Sequence, residues 1–324
     1  MDRREFLLAG LALPVAMRPA LALAAWAHGG RPLVLVTADA EAHVAAVEVS
    51  TGRVVRRIPT LPGPRSIESV QETIALVGHT DIGAVTLIDG PSLRVARVLR
   101  PFGEPRYTAA SPDGRFAYVT DSGRGEVIVI DVKRQRLAGR VDVGGPARHV
   151  SVDATGRWLW TALGTKAAEI AVIDLASPAQ PRVAARIRPP FLAHDVGFAP
   201  DGRRVWVTSG DRGRIAVYAT SSRRVLFTLP AGSPPQHVAF GANQAFVTSG
   251  DDGTLRVHAL TDGRLRRETT VPVGSYNVTR NFQGRVATPS LGRGTLCVAD
   301  AAGRLLWHER VARAAHDACF VVSG

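Results

Sequence analysis

Seven polar residue pairs recur along this sequence, each directly before a short apolar stretch. They carry arginine, histidine, aspartate, tyrosine and amide side chains, the residue types that bind anions, hold metal ions or transfer protons. The pairs are Arg65-Ser66, Arg106-Tyr107, Arg148-His149, His194-Asp195, Gln236-His237, Tyr276-Asn277 and His316-Asp317. Neighbouring pairs are separated by about 40 residues. They can act together only if the fold repeats with that period and brings them to one place.

The composition of these pairs predicts a concave site for an anionic or metal-bearing ligand. Arginines fill the first position of three successive pairs, and guanidinium groups form charge-assisted, bidentate hydrogen bonds with anions. We expect them to line one arc of the site, opposite His194, His237 and His316. A plain hydrated channel mouth remains the alternative interpretation. The predicted ligand-binding residues are Arg65, Arg106, Tyr107, Arg148, His149, His194, Asp195, His237, Tyr276, Asn277, His316 and Asp317.

Four histidines in these pairs are candidate ligands for a metal ion or a haem, namely His149, His194, His237 and His316. Residues 194–198 and 316–320 share the pattern His-Asp-apolar-small-Phe, in which the Asp would orient the imidazole or act as a ligand itself. The spacing matches no local metal-binding motif, so convergence depends wholly on the fold. Channel histidines that only form hydrogen bonds are the alternative. The sequence therefore admits a haem or metal cofactor but requires neither.

The pattern of turns and strands predicts the fold that would bring the pairs together. In the segment 105–143 a Pro112-Asp113-Gly114 turn separates the first two short strands, the Gly-bearing loop Asp121–Gly125 precedes a third, and Leu137–Val143 is a more polar fourth. A β-rich strand ending near Thr recurs in seven units of about 42 residues over 31–324. We predict an all-β, seven-bladed β-propeller with four-stranded antiparallel blades. The first unit begins with its second strand, Leu33–Thr37, so the C-terminal segment His316–Val322 should close the first blade.

The repeat resembles the YVTN-type propeller repeat. The resemblance is carried by Ala-Tyr-Val-Thr-Asp at 117–121 and Val-Ile-Val-Ile-Asp at 127–131, with looser copies at 208–211 and 248–251. It implies an exported propeller, in a group that includes surface-layer-like proteins, binding proteins and the propeller domains of haem and copper enzymes. A lactonase-like propeller hydrolase would need a metal held by Glu, Asn and Asp. Asn277, Asp195 and Asp317 supply part of such a set, with Glu68 the nearest glutamate.

The N-terminus predicts export. Residues 1–24 carry paired arginines, Arg3 and Arg4, then an apolar run and Ala22-Leu23-Ala24, as in a twin-arginine signal. We expect a short linker at 25–30, the propeller at 31–324, and a periplasmic or secreted location. The net charge of +12 suits an anionic ligand or an acidic protein partner. The arginines are spread over many turns, which argues against nucleic acid.

Beyond the signal, no apolar run is long enough for a transmembrane segment. We expect a monomer with free Cys297 and Cys319, because the two cysteines fall in different blades. The sequence carries neither a Gly-x-Ser-x-Gly elbow nor a phosphate-binding loop, and it assigns no catalytic residue. Our main interpretation is therefore an exported binding protein, with a metal- or haem-dependent protein, or a lactonase-like enzyme, as the alternative.

Overall fold

Seven separate four-stranded antiparallel sheets make up the protein, in a computed structural model that describes residues 30–324. This architecture confirms the predicted seven-bladed propeller. The predicted export signal, Met1–Ala24, lies outside the described residues, as does the predicted linker up to residue 29. Within the described part of the chain, no helix has the length and hydrophobicity needed to cross a membrane.

The strands follow one another along the chain with short connections. Those of the first two blades are β1 (Arg31–Ala38), β2 (His43–Glu48), β3 (Val54–Pro59), β4 (Ser66–Val70), β5 (Ile74–His79), β6 (Ala84–Asp89) and β7 (Arg94–Leu99). A short 3-10 turn, Thr80–Ile82, precedes β6. The next two blades contain β8 (Pro105–Ala110), β9 (Phe116–Asp121), β10 (Glu126–Asp131), β11 (Arg136–Asp142), β12 (Val150–Val152), β13 (Trp158–Ala162), β14 (Ile170–Asp174) and β15 (Arg182–Ile187).

The remaining strands build the last three blades and complete the first. They are β16 (Ala193–Phe198), β17 (Arg204–Ser209), β18 (Arg214–Ala219), β19 (Val225–Pro230), β20 (Val238–Phe240), β21 (Gln244–Ser249), β22 (Thr254–Ala259), β23 (Leu265–Thr270), β24 (Thr279–Arg280), β25 (Val286–Ser290), β26 (Thr295–Ala299), β27 (Leu305–Arg310) and β28 (Ala315–Ser323). The turn geometry agrees with the sequence: Gly114, in the Pro-Asp-Gly turn, has a φ of 70°, which an L side chain rarely adopts.

The C-terminal strand closes the ring as predicted. β28 pairs antiparallel with β1, so that Leu33 lies opposite Val321 and Leu35 opposite Cys319. The first blade therefore has the order β28-β1-β2-β3. Every residue of β28 is buried. Closure removes a long strand edge and gives each blade a neighbour on both sides.

The hydrophobic core consists of seven apolar clusters, one between each pair of neighbouring blades. Strands alternate side chains between their two faces, so the buried middle strands contribute to the clusters on both sides. Trp160 packs edge-on against Phe198 and Tyr218 of the next blade, for example. The outermost strands are more exposed and polar. Cys297 and Cys319 are free and buried in this core, as predicted.

A threonine near the end of the second strand links the first strands of adjacent blades. The Thr208 hydroxyl accepts a hydrogen bond from the Asp195 N–H at 2.9 Å and donates to the Gln236 carbonyl at 2.7 Å. Thr37 makes the same pair of bonds with Asp317 and Arg65. Similar donations reach the Arg148 carbonyl from Thr120 and the Tyr276 carbonyl from Thr248. The repeating Thr therefore sets the position of the polar pairs.

Blade four provides an internal control for this arrangement, because the buried Thr161 hydroxyl has no hydrogen-bond partner there. We predict that Thr208→Val lowers the free energy of unfolding by about 2–4 kcal/mol, since the mutation leaves two buried backbone groups unpaired. The matched variant Thr161→Val should be neutral or stabilising. Chemical denaturation of the two variants checks this. Equal losses of stability would show that the threonines contribute by packing alone.

Candidate functional site

The structure separates the two members of each predicted pair into two layers around the propeller axis. The second members line a central cavity of about 340 Å³, and they are Ser66, Tyr107, His149, Asp195, His237, Asn277 and Asp317. The first members do not line this cavity. They lie at the channel mouth, where the connections between blades enter the first strands.

Two aspartate side chains form hydrogen bonds that link the first strands of adjacent blades. Asp195 accepts backbone hydrogen bonds from Val196 at 2.7 Å and from Val238, in the next blade, at 3.0 Å. Asp317 does the same with Ala318 at 2.8 Å and Ile67 at 2.9 Å. The shared His-Asp pattern therefore has a structural role that the sequence did not reveal. Burial raises the pKa of both carboxyls to about 7, despite these bonds.

Three of the four predicted histidines converge at the mouth of this cavity. The rings of His149 and His194 have centroids 4.3 Å apart, and those of His149 and His237 are 4.7 Å apart. Tyr107 stacks on His149 at 4.2 Å. One nitrogen from each of the three histidines lies within 4.8 Å of the others. His149, His194 and His237 are called the histidine cluster below.

The four imidazoles differ in which ring nitrogens have a polar partner. His194 Nδ1 lies 3.0 Å from the Thr165 carbonyl, to which it can only donate. Asp195 Oδ2 is 3.5 Å from His237 Nδ1. Neither ring nitrogen of the buried His149 makes a hydrogen bond of good geometry among the described residues. His316 lies outside the cluster, and its Nδ1 donates to the Arg65 carbonyl at 2.6 Å.

Burial keeps all four imidazoles neutral. It lowers the pKa of His194 and of His316 to about 4, and it lowers the pKa of His149 and His237 well below the ordinary value. The nearby positive charge of Arg148 acts in the same direction. At neutral pH the cluster therefore presents uncharged imidazoles, the form that binds metal ions.

The three predicted arginines lie close together at the mouth but have different partners. Arg65 forms an ion pair with Asp39 and Arg106 with Glu104, both at 3.0 Å. Arg148 has no carboxylate partner among the described residues; its guanidinium lies 5.9 Å from the centre of the Tyr107 ring, and its buried Nε makes no hydrogen bond. Burial, with the charges of Arg106 and Arg65 nearby, lowers the pKa of Arg148.

The acidic and amide residues considered for a hydrolase all line the cavity: Glu68, Asp195, Asn277 and Asp317. Burial raises the pKa of Glu68 to about 8, although its Oε1 accepts the Ser69 N–H at 2.9 Å. Asn277 is buried and donates from Nδ2 to the His316 carbonyl at 2.8 Å. Tyr276 points elsewhere, and its hydroxyl lies 3.4 Å from Asp251 Oδ1.

Sequence reasoning missed two elements that build the site. The recurring Thr at the end of the second strands was visible as a pattern, but its links between blades were not. The loop 163–169 was also missed. Ala167 of this loop exchanges two backbone hydrogen bonds with Ala193, at 2.7 and 2.8 Å, which places the Thr165 carbonyl against His194. No residue type in that loop signals this role.

Comparison with solved structures supports the architecture. The chain resembles hydrazine synthase of Kuenenia stuttgartiensis with a TM-score of 0.67 and 15% identity, over 80% of this chain and 89% of that one. It resembles dihydro-heme d1 dehydrogenase NirN in complex with DHE with a TM-score of 0.61 and 18% identity, over 86% and 63% of the two chains. At these identities the likeness shows the fold alone.

Sequence comparison identifies the family. A curated relative, 6-phosphogluconolactonase of Cronobacter sakazakii (strain ATCC BAA-894), is 25% identical over 166 residues, which is 48% of this chain and 50% of that protein. The chain thus spans about half the length of this relative. The family model described as lactonase, 7-bladed beta-propeller matches residues 80–288. With most of the chain covered by that model, the protein belongs to the lactonase family of seven-bladed β-propellers.

Proposed function

We propose that this protein binds a small anionic molecule at the mouth of the propeller channel, outside the cytoplasm. The observation that carries the proposal is Arg148, a largely buried guanidinium that has no carboxylate partner among the described residues. A buried cation without a counterion is costly, and a bound anion would remove that cost. The export pattern at Arg3 and Arg4 supports the location.

The surroundings of Arg148 favour a small ligand over an acidic protein loop. Arg65 and Arg106 add positive charge on the same arc, while their ion pairs with Asp39 and Glu104 hold their side chains in place. The adjoining cavity of about 340 Å³ has the size of a small-molecule site. An anion there would form charge-assisted hydrogen bonds with guanidinium groups in surroundings that exclude much of the water.

Arg106→Ala combined with Arg148→Ala should weaken anion binding by about a hundredfold or more, since each charge-assisted bond contributes about 1.5–3 kcal/mol. Calorimetric titration with 6-phosphogluconate, citrate and inorganic phosphate measures the effect. Arg94→Ala combined with Arg97→Ala is the matched control, because it removes the same charge from the exposed strand β7. Equal affinities of the two double variants, or no binding of any anion by the unmodified protein, would contradict the proposal.

A lactone hydrolase is the second candidate, favoured by the family match and by Glu68 in the cavity. The name of the matched relative denotes a lactonase for a phosphorylated, and so anionic, lactone. In such a reaction Glu68 would take a proton from water as the water attacks the lactone carbonyl. The ring C–O bond would then break, and the proton held by Glu68 would pass to the leaving oxygen to give a hydroxy acid. A carboxyl with a pKa of about 8 suits a general base near neutral pH.

If Glu68 is the base, the enzymatic rate above the spontaneous rate should rise as the pH increases through about 8, because only the ionised carboxylate accepts a proton. Glu68→Gln should lower that rate by about a hundredfold and flatten the pH profile. The exposed Glu309→Gln is the control. Hydrolysis of 6-phosphogluconolactone, followed by acid release, is the measurement. No acceleration by the unmodified protein would eliminate the enzyme candidate and leave the binding proposal standing.

A further inference from the structure

We propose that His149, His194 and His237 bind a divalent transition-metal ion at the channel mouth and leave one coordination position open for a water molecule or an anion. The inference goes beyond the anion-binding function, because the three imidazoles define a site for a different class of ligand. The convergence of three side chains from three successive blades is its first support.

The blade repeat does not by itself require three histidine side chains to meet. His149 and His237 are second members of their pairs, a position that holds Ser66, Tyr107, Asp195, Asn277 or Asp317 in the other blades, whereas His194 is a first member. Three histidines instead meet on one side of the axis, with one nitrogen from each within 4.8 Å of the others. Small movements of side chains would bring these nitrogens to the separation that a single ion requires, because metal–imidazole bonds are about 2.0–2.1 Å long.

The second support is the orientation of the rings by groups outside the cluster. The Thr165 carbonyl can only accept a hydrogen bond, so His194 Nδ1 carries the proton and the lone pair of that ring is on Nε2. Asp195 Oδ2, 3.5 Å from His237 Nδ1, favours the same tautomer there. Carbonyl and carboxylate groups orient metal-binding histidines in this way in many proteins. The loop that supplies Thr165 is held by the paired backbone bonds of Ala167 and Ala193.

The third support is the weak hydrogen bonding of the His149 ring, whose polar contact is the His194 backbone. Its side chain is almost fully buried, yet neither ring nitrogen makes a hydrogen bond of good geometry among the described residues. A buried polar atom without a partner is unfavourable, and a bound ion is one way to satisfy it. If the ring served only to stack on Tyr107, an apolar aromatic residue would fill the place at lower cost.

The donor set indicates the class of metal. Three neutral imidazoles suit zinc, copper, nickel or cobalt, whereas calcium and magnesium prefer oxygen ligands. Arg148 lies close to the cluster, and its positive charge opposes a cation. The Asp195 carboxylate beside His237 offsets part of this charge when ionised. An anion on the open position would offset more, and Arg148 is placed to contact it.

The test uses the tag-free protein after treatment with a chelator, titrated with Zn²⁺ alone at pH 7.5 by calorimetry. We expect one ion per chain with a dissociation constant in the micromolar range or below. His194→Phe and His149→Phe should each weaken binding by at least about a hundredfold, because they keep a ring in place but remove a ligand. The exposed His308→Gln is the matched control and should bind like the unmodified protein. Substitution with Co²⁺ should give visible absorption bands that both Phe variants lose.

Several outcomes would overturn the proposal: no saturable binding to the unmodified protein, equal binding by His194→Phe, or losses of the same size in His308→Gln. Circular dichroism confirms that each variant is folded, and His194, which is only half buried, keeps the test valid if His149→Phe does not fold. The double variant of Arg106 and Arg148 should still bind Zn²⁺. A protein that binds anions but not Zn²⁺ would contradict only the metal site. A protein that binds Zn²⁺ but not anions would contradict only the anion site.

Discussion

The structure depends on hydrogen bonds that join the first strand of one blade to the first strand of the next. Threonine hydroxyls such as Thr208 bridge an N–H in one blade and a carbonyl in the other. The carboxylates of Asp195 and Asp317 bridge backbone N–H groups in the same manner. Apolar clusters hold the blades together, but they are non-directional. The directional bonds near the axis determine where each polar side chain lies at the channel mouth.

This constraint explains how residues that are distant in sequence form one site. The second members of the seven pairs line one cavity because each lies in or just before the first part of an innermost strand. The first members remain at the mouth, where Arg148 lies beside Tyr107 and the histidine cluster. Neutral imidazoles and the largely buried guanidinium of Arg148 thus lie next to each other. We propose that this arrangement combines a place for a metal ion with a place for an anion.

The sequence predicted the architecture well because local chemistry defines the blade. The Pro112-Asp113-Gly114 turn was expected to separate two short strands, and the structure places β8 and β9 on either side of it. The closing role of the C-terminal strand was predictable because the first repeat lacks its own first strand. The site was less accessible to prediction. The geometry of the closed propeller decides that His149 and His194 meet while His316 stays apart. The roles of Thr165 and of the Asp195 carboxylate depend on backbone atoms that no residue pattern encodes. The resemblance to the YVTN-type repeat and the export signal stay predictions.

The central claim is that the histidines at the channel mouth are neutral and that His194 and His237 keep Nε2 free to bind a ligand. Long-range ¹H–¹⁵N correlation spectra of the metal-free protein at pH 7 test it directly, because nitrogen chemical shifts distinguish the two tautomers from the imidazolium form. The account predicts neutral His194 and His237 with the proton on Nδ1 and an unprotonated Nε2. Charged rings, or protons on Nε2 in both residues, would contradict it.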